Sequence, residues 1–216
     1  MTAVEDNPYA SEARYHDLYP EMGTDEISTE PYYSEEYFQL EKEYIFKKCW
    51  FNAGRIEDIP KAGDYVVKEV PVCDTSIVIV RRKDGGLNAF HNVCSHRGNK
   101  MAYEESGNAR SFNCRFHGWT YDHDGDLIVV PDEENYFNLD KSCLGLSMVS
   151  VDTWEGFIFV NVDPSPKETL EEYMGDLGKG LHGYPFAETS GQVFTFETVV
   201  NANWKLVKDA FQEVCH

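Results

Sequence analysis

Apolar residues at Tyr37, Leu40, Tyr44 and Ile45 recur at helical spacing within "YYSEEYFQLEKEYIFKKCW" (32–50). With Ser34 as a candidate cap they predict an amphipathic helix. From about residue 55 to 163 the pattern shortens into apolar or alternating runs punctuated by Gly, Asp and Pro. The runs 64–70, 75–82, 86–92, 109–114, 118–122, 126–130 and 154–162 predict strands, and "KDGG" (83–86) and "HDGD" (123–126) predict hairpin turns. Seven short strands joined by close turns imply an antiparallel sandwich or a small barrel. "DPSPKE" (163–168) reads as a boundary. A short helix near 169–177, a strand at 192–200 and a final helix from 201 are expected after it. On that helix Trp204, Val207, Phe211 and Val214 share one face, and Asp209, Glu213 and His216 the opposite one. Periodicity alone reads the second face as solvated, with a Lys205–Asp209 pair.

These elements suggest an α+β chain: a tail and helix over 1–54, an all-β domain over 55–163, and the beginning of another domain over 164–216. Residues 1–30 are expected to be poorly ordered or draped over the surface. The chain runs out inside its last helix with neither cap nor tail, which reads as a cut.

Composition narrows the function. At 216 residues, 42% apolar and 14% aromatic, the chain can bury a sizeable core. No apolar run is long enough to span a bilayer and the N-terminus lacks a secretory pattern, so a cytoplasmic address is expected. The net charge of −19 disfavours nucleic acid and anionic membranes as partners. Much of it reflects the first thirty residues, where eight acids face Arg14 alone. Six cysteines form no C-x-x-C pair, which argues against thioredoxin-type redox motifs and most zinc ribbons. Cys49, Cys73 and Cys143 are expected to be buried thiols. His16, His91, His123 and His182 are read as surface or packing residues.

Two segments carry chemistry. Cys94-x-His96 is followed after seventeen residues by Cys114-x-x-His117, each where a strand gives way to a Gly-containing loop. Two thiolates and two imidazoles could hold zinc, but structural zinc sites usually pair like ligands at wider spacing. One Cys and one His per loop suit a two-iron cluster better, with one Cys from each loop on one iron and one His from each on the other. Neutral imidazoles remove negative charge and raise the potential to about −150 to +300 mV. Between residues 94 and 117, Arg97, Lys100, Arg110 and Arg115 outnumber Glu104 and Glu105, a locally basic rim that could receive an acidic electron donor. "DHDGD" (122–126) has a calcium-loop look, yet its Gly is misplaced and no Glu closes it, so a hairpin turn is the expectation.

"CSHRGNKM" and "CRFHGWTYD" together resemble the Rieske domain of the ring-hydroxylating oxygenase α subunits. The resemblance runs from about residue 37 to the C-terminus. It implies a [2Fe–2S] cluster held by Cys94, His96, Cys114 and His117. Phe116 stands where these oxygenases more often carry Tyr, and a lost hydroxyl would remove a hydrogen bond to the cluster. "NWKLVKDAFQEVCH" is similar to the family segment that opens the helix-grip catalytic domain. That similarity implies His216 as one ligand of a mononuclear iron and Glu213 as the acidic bridge for electrons arriving from a neighbouring subunit. Ala210 and Cys215 depart from the usual Asn and Tyr. The remaining iron ligands are implied beyond residue 216, so the chain is expected to be the N-terminal portion of an α subunit.

The family further implies electrons from NAD(P)H through a reductase, with or without a ferredoxin. It implies O2-dependent hydroxylation or dihydroxylation of an aromatic or similar apolar compound, and a homotrimer, with or without a β subunit. A stand-alone Rieske electron carrier is the competing reading.

Overall fold

The computed structural model describes residues 20–22, 26–189, 194 and 196–212. The chain divides into two compact units, one of residues 38–198 and one of residues 1–37 with 199–216.

Among the described residues the larger unit has ten strands. They are β1 (Phe51–Arg55), β2 (Asp64–Val70), β3 (Thr75–Arg81), β4 (Leu87–His91), β5 (Ser106–Asn108), β6 (Phe112–Asn113), β7 (Thr120–Tyr121), β8 (Leu127–Val129), β9 (Met148–Trp154) and β10 (Phe157–Asn161). Seven form one sheet in the order β1-β10-β9-β4-β3-β2-β5, and β6-β7-β8 form a second. Every pairing is antiparallel.

"SIVIV" in β3 shows why this strand lacks the alternation of a half-exposed one. Val78 and Val80 enter the core that also holds Phe90, Phe112, Trp119 and Tyr121, while Ile77 and Ile79 enter the core on the other face. All four are fully buried, and burial of each such side chain is worth about 1.5–3 kcal/mol. The turns hold as expected. In "KDGG" Arg82 N–H donates to Gly86 O (2.8 Å), and in "HDGD" Asp122 N–H donates to Asp126 O (3.0 Å). The Asp122 carboxylate accepts the backbone N–H groups of Asp124 and Asp126 (2.9 and 3.0 Å), so its acid serves the turn.

Several expectations change. The run 154–162 starts too early: β10 begins only at Phe157, and Glu155 and Gly156 form the turn between β9 and β10, both at positive φ (47° and 82°). Strands β1, β5 and β9 went unread in sequence. Phe194 and residues 196–200 form no strand; Phe194, Phe196 and Val199 are exposed, and no described strand pairs with them. Helix α1 (Glu35–Tyr44) forms with the expected cap, Ser34 Oγ accepting from Tyr37 N–H (3.2 Å). Its apolar stripe nevertheless faces outward: Leu40 and Tyr44 are exposed while Glu41 is buried. Phe38 and Lys42 lie on the inner side, where Lys42 Nζ sits over the Phe38 ring and reaches Asp74 (2.9 Å). Cys73 is buried as expected, whereas Cys49 is only half-buried and Cys143 is exposed beside Asp140.

Helix α2 (Leu170–Leu181) starts at a Thr169–Glu172 capping box and kinks at Gly175. In the smaller unit Tyr32 Oη donates to Asp209 (2.9 Å) on helix α3 (Trp204–Gln212), and Lys205 lies over the rings of Tyr32 and Tyr37. Glu213 and His216 lie outside the described residues, as do Val214, Cys215 and His16. Among the described residues no helix is long and apolar enough to cross a membrane.

Candidate metal centre

The two Cys–His segments fold into the same backbone loop. Cys94 N–H donates to Asn99 O (2.8 Å) and Gly98 N–H to Cys94 O (3.0 Å); Cys114 N–H donates to Trp119 O (2.8 Å) and Gly118 N–H to Cys114 O (2.9 Å). Each loop turns through a glycine in the left-handed region, Gly98 at φ 71° and Gly118 at φ 75°. The cysteine therefore holds the same place in both loops, while the histidine sits at the third position of one and the fourth of the other. That one-residue offset is the C-x-H and C-x-x-H spacing, now with a structural meaning.

The loops bring their side chains together. The His96 and His117 rings lie 4.7 Å apart between centroids. Both cysteines are buried and free of any disulfide, His96 is half-buried and His117 is exposed. The sulfurs thus point into the protein and the imidazoles towards its surface.

Hydrogen bonds cross between the loops. Tyr121 Oη, on the strand after the second loop, lies 3.3 Å from Cys94 Sγ in the first and 2.8 Å from Ser95 Oγ. Ser95 Oγ gives its own hydrogen to Leu144 O (2.6 Å), so the phenol donates to Ser95; towards Cys94 it is the donor when the sulfur is a thiolate. Asn99 in the first loop points Nδ2 at Cys114 Sγ in the second (3.7 Å). Trp119 stacks flat on His96, with centroids 4.6 Å apart and planes at 9°.

At Cys114 and His96 the surroundings favour the protonation state that binds metal. Burial disfavours a thiolate at Cys114, but the N–H groups of Phe116 and His117, with Cys94 and Asn99, outweigh it and hold the thiol below its ordinary value. Burial first, then the neighbouring His117 and Arg97, pushes His96 down towards the neutral imidazole that metals bind. Burial and the hydrogen bond with Cys94 push Tyr121 up, so it stays a donor.

Two sulfurs on the buried side and two imidazoles on the outer side divide the four side chains into two pairs. A two-iron cluster asks for only two protein ligands on each iron. Trp119 Nε1 is buried without a protein hydrogen-bond partner, a place for an acceptor that a bound group brings.

Phe116 does not stand at a sulfur. Its side chain is 60% exposed with its ring 3.9 Å from that of His117, and the hydroxyl beside a cysteine comes from Tyr121 instead. Tyr121, Trp119 and Asn99 were not singled out in sequence; their signal was adjacency, each within five residues of a loop Cys or His. His91 and His123 are packing residues, bonded to Thr75 (2.7 Å) and Ala109 O (2.8 Å), and His182 pairs with Glu155 (2.9 Å).

Residues 49–154 match the Rieske [2Fe-2S] domain family. The chain is 37% identical over 184 residues to the large oxygenase component of the naphthalene 1,2-dioxygenase system of Pseudomonas aeruginosa, covering 82% of this chain and 40% of that protein. It is 33% identical over 179 residues to the carnitine monooxygenase oxygenase subunit of Escherichia coli (strain K12), covering 83% of this chain and 47% of the relative. The chain thus spans less than half the length of these curated relatives. Among solved structures, a quaternary ammonium Rieske monooxygenase in its apo form superposes with a TM-score of 0.76 at 30% identity, covering 83% of this chain and 52% of that one. Naphthalene 1,2-dioxygenase with indole bound gives 0.64 at 37% identity, covering 69% and 33%. This chain carries a Rieske domain, which implies a [2Fe–2S] cluster, and it is a homologue of the α subunits of the Rieske oxygenases.

Proposed function

We propose that Cys94 and Cys114 ligate one iron of the [2Fe–2S] cluster and His96 and His117 the other, within a cluster domain spanning residues 55–163. When bound, the cluster takes up and releases single electrons. The protein's part is to bury the sulfur side, present the two imidazoles outward as the short route for electrons, and hold the donors of Tyr121 and Asn99 against the sulfurs. One observation carries this reading: two loops with matching backbone hydrogen bonds offset their histidines by one residue and bring the ring centroids within 4.7 Å.

In the complete protein the role is that of a terminal oxygenase component, incorporating O2 into an aromatic or related apolar compound. His216 would be one ligand of a mononuclear iron, and Glu213 would bridge towards a neighbouring subunit's cluster histidine. The electron donor is a reductase, directly or through a ferredoxin, and the assembly is a homotrimer in the cytoplasm. The relatives support this reading, since they include dioxygenase and monooxygenase oxygenase subunits.

The test is the full-length protein with its reductase, assayed for NAD(P)H-dependent O2 uptake against a panel of aromatics. Uptake is expected to require one class of aromatic, and Glu213→Gln to cut turnover about 100-fold or more with cluster absorbance unchanged. Such a loss is about 2.7 kcal/mol of barrier. An intact cluster that turns over no substrate with any donor would favour the stand-alone carrier.

A further inference from the structure

The Asn99 amide is in an unusual position. Its Nδ2 carries two hydrogens but faces three acceptors: Lys100 O at 3.0 Å, Tyr103 Oη at 2.9 Å and Cys114 Sγ at 3.7 Å. Tyr103 is itself fixed, its ring covered by the Arg115 guanidinium at 4.4 Å, and Arg115 directly follows Cys114. Asn99, Tyr103, Arg115 and Phe116 line a shallow hollow of about 270 Å³ on the outer surface beside the second loop. The sulfur of Cys114 is therefore served by a donor that a surface phenol can hold back.

We propose that Asn99 is a tuning residue for the cluster potential, acting through Cys114 Sγ, and that Tyr103 competes with that sulfur for the amide. This rests on the ligand assignment above. A hydrogen bond to a ligand sulfur withdraws negative charge and favours the reduced state, so the amide raises the potential. A phenol that draws the hydrogen away opposes it.

The experiment is a redox titration of the full chain, following the cluster's circular dichroism, for the wild type and three variants. Asn99→Leu removes the donor at similar volume. Asn99→Asp keeps the shape and replaces the donor with an anionic acceptor. Tyr103→Phe removes only the competitor. The expected order of midpoint potential is Tyr103→Phe highest, then wild type, then Asn99→Leu, with Asn99→Asp lowest. Asn99→Asp also adds a negative charge, which lowers the potential by itself, so the uncharged Asn99→Leu and Tyr103→Phe separate tuning from a merely structural role, which predicts no rise in Tyr103→Phe. Asn99 variants that keep the cluster at wild-type potential overturn the proposal. If neither retains a cluster, Tyr103→Phe decides: a rise supports the proposal, and no change or a fall overturns it. A wild-type chain that assembles no cluster at all would sink the ligand assignment instead, and the two failures are distinct.

Discussion

At the residue scale the cluster site depends on a few atoms around two sulfurs. Tyr121 Oη reaches Cys94 Sγ from the neighbouring loop, so Tyr121→Phe is expected to lower the midpoint potential while leaving the fold intact, since only the hydroxyl leaves a fully buried ring. A redox titration reads it; an unchanged potential would remove the phenol from the account. The two loop glycines make a sharper pair. Both lie at positive φ, but a Cβ on Gly98 meets nothing within 4 Å, whereas one on Gly118 lands 2.9 Å from Pro131 Cγ, in a ring that cannot swing aside. Gly118→Ala should therefore lose more cluster than Gly98→Ala, measured as iron per chain. Equal losses would mean that backbone strain alone governs both loops. Sequence spacing revealed the four ligand candidates because metal chemistry restricts residue type. It did not reveal Tyr121, Trp119 or Asn99, because a tyrosine, tryptophan or asparagine near a loop has many other uses.

At the element scale, legibility followed hydrogen-bonding context. β2, β3 and β4 were readable because their apolar runs are bounded by Gly and Asp turns, and β3 is buried on both faces. β5 escaped notice because "SGN" carries no apolar signal; β2 pairs with it all the same, Tyr65 opposite Gly107. The stripe on α1 misled for the opposite reason, since it has the right period yet faces out. Phe90 is fully buried and packs edge-on against Phe112 at 5.4 Å, so Phe90→Ala should cost about 3–5 kcal/mol in urea unfolding. The α2 cap is more local: Thr169 Oγ1 accepts from Glu172 N–H (3.2 Å) and Thr169 N–H donates to the Glu172 carboxylate (2.8 Å). Thr169→Ala should cost about 1 kcal/mol. A loss as large as that of Phe90→Ala would show that the cap does more than end a helix.

At the scale of the whole molecule, charge and cluster decide behaviour. Hydrogen bonds from Arg55, Asn108, Lys100 and Lys48 hold Glu57, Asp64, Glu69 and Asp163 below the ordinary carboxylate range. Burial holds His91 below the ordinary imidazole value. Each group binds fewer protons folded than unfolded, so stability rises with pH across these windows. The His91 contribution is expected to fade as pH falls below about 6.5 and the carboxylate contributions below about 4, where the unfolded groups titrate. Urea midpoints that rise on acidification from pH 7 to 4 would contradict this. The carboxylates lie at the surface, so each effect is small. The larger claim is that two loops with offset histidines hold one asymmetric iron–sulfur pair. Electron paramagnetic resonance of the dithionite-reduced chain, with nitrogen couplings resolved by pulsed methods, tests it most directly. The account predicts a one-electron [2Fe–2S] signal with couplings from two imidazole nitrogens, one of them lost in His96→Cys. A cluster signal without nitrogen coupling, or one whose couplings survive in both His96→Cys and His117→Cys, would contradict it.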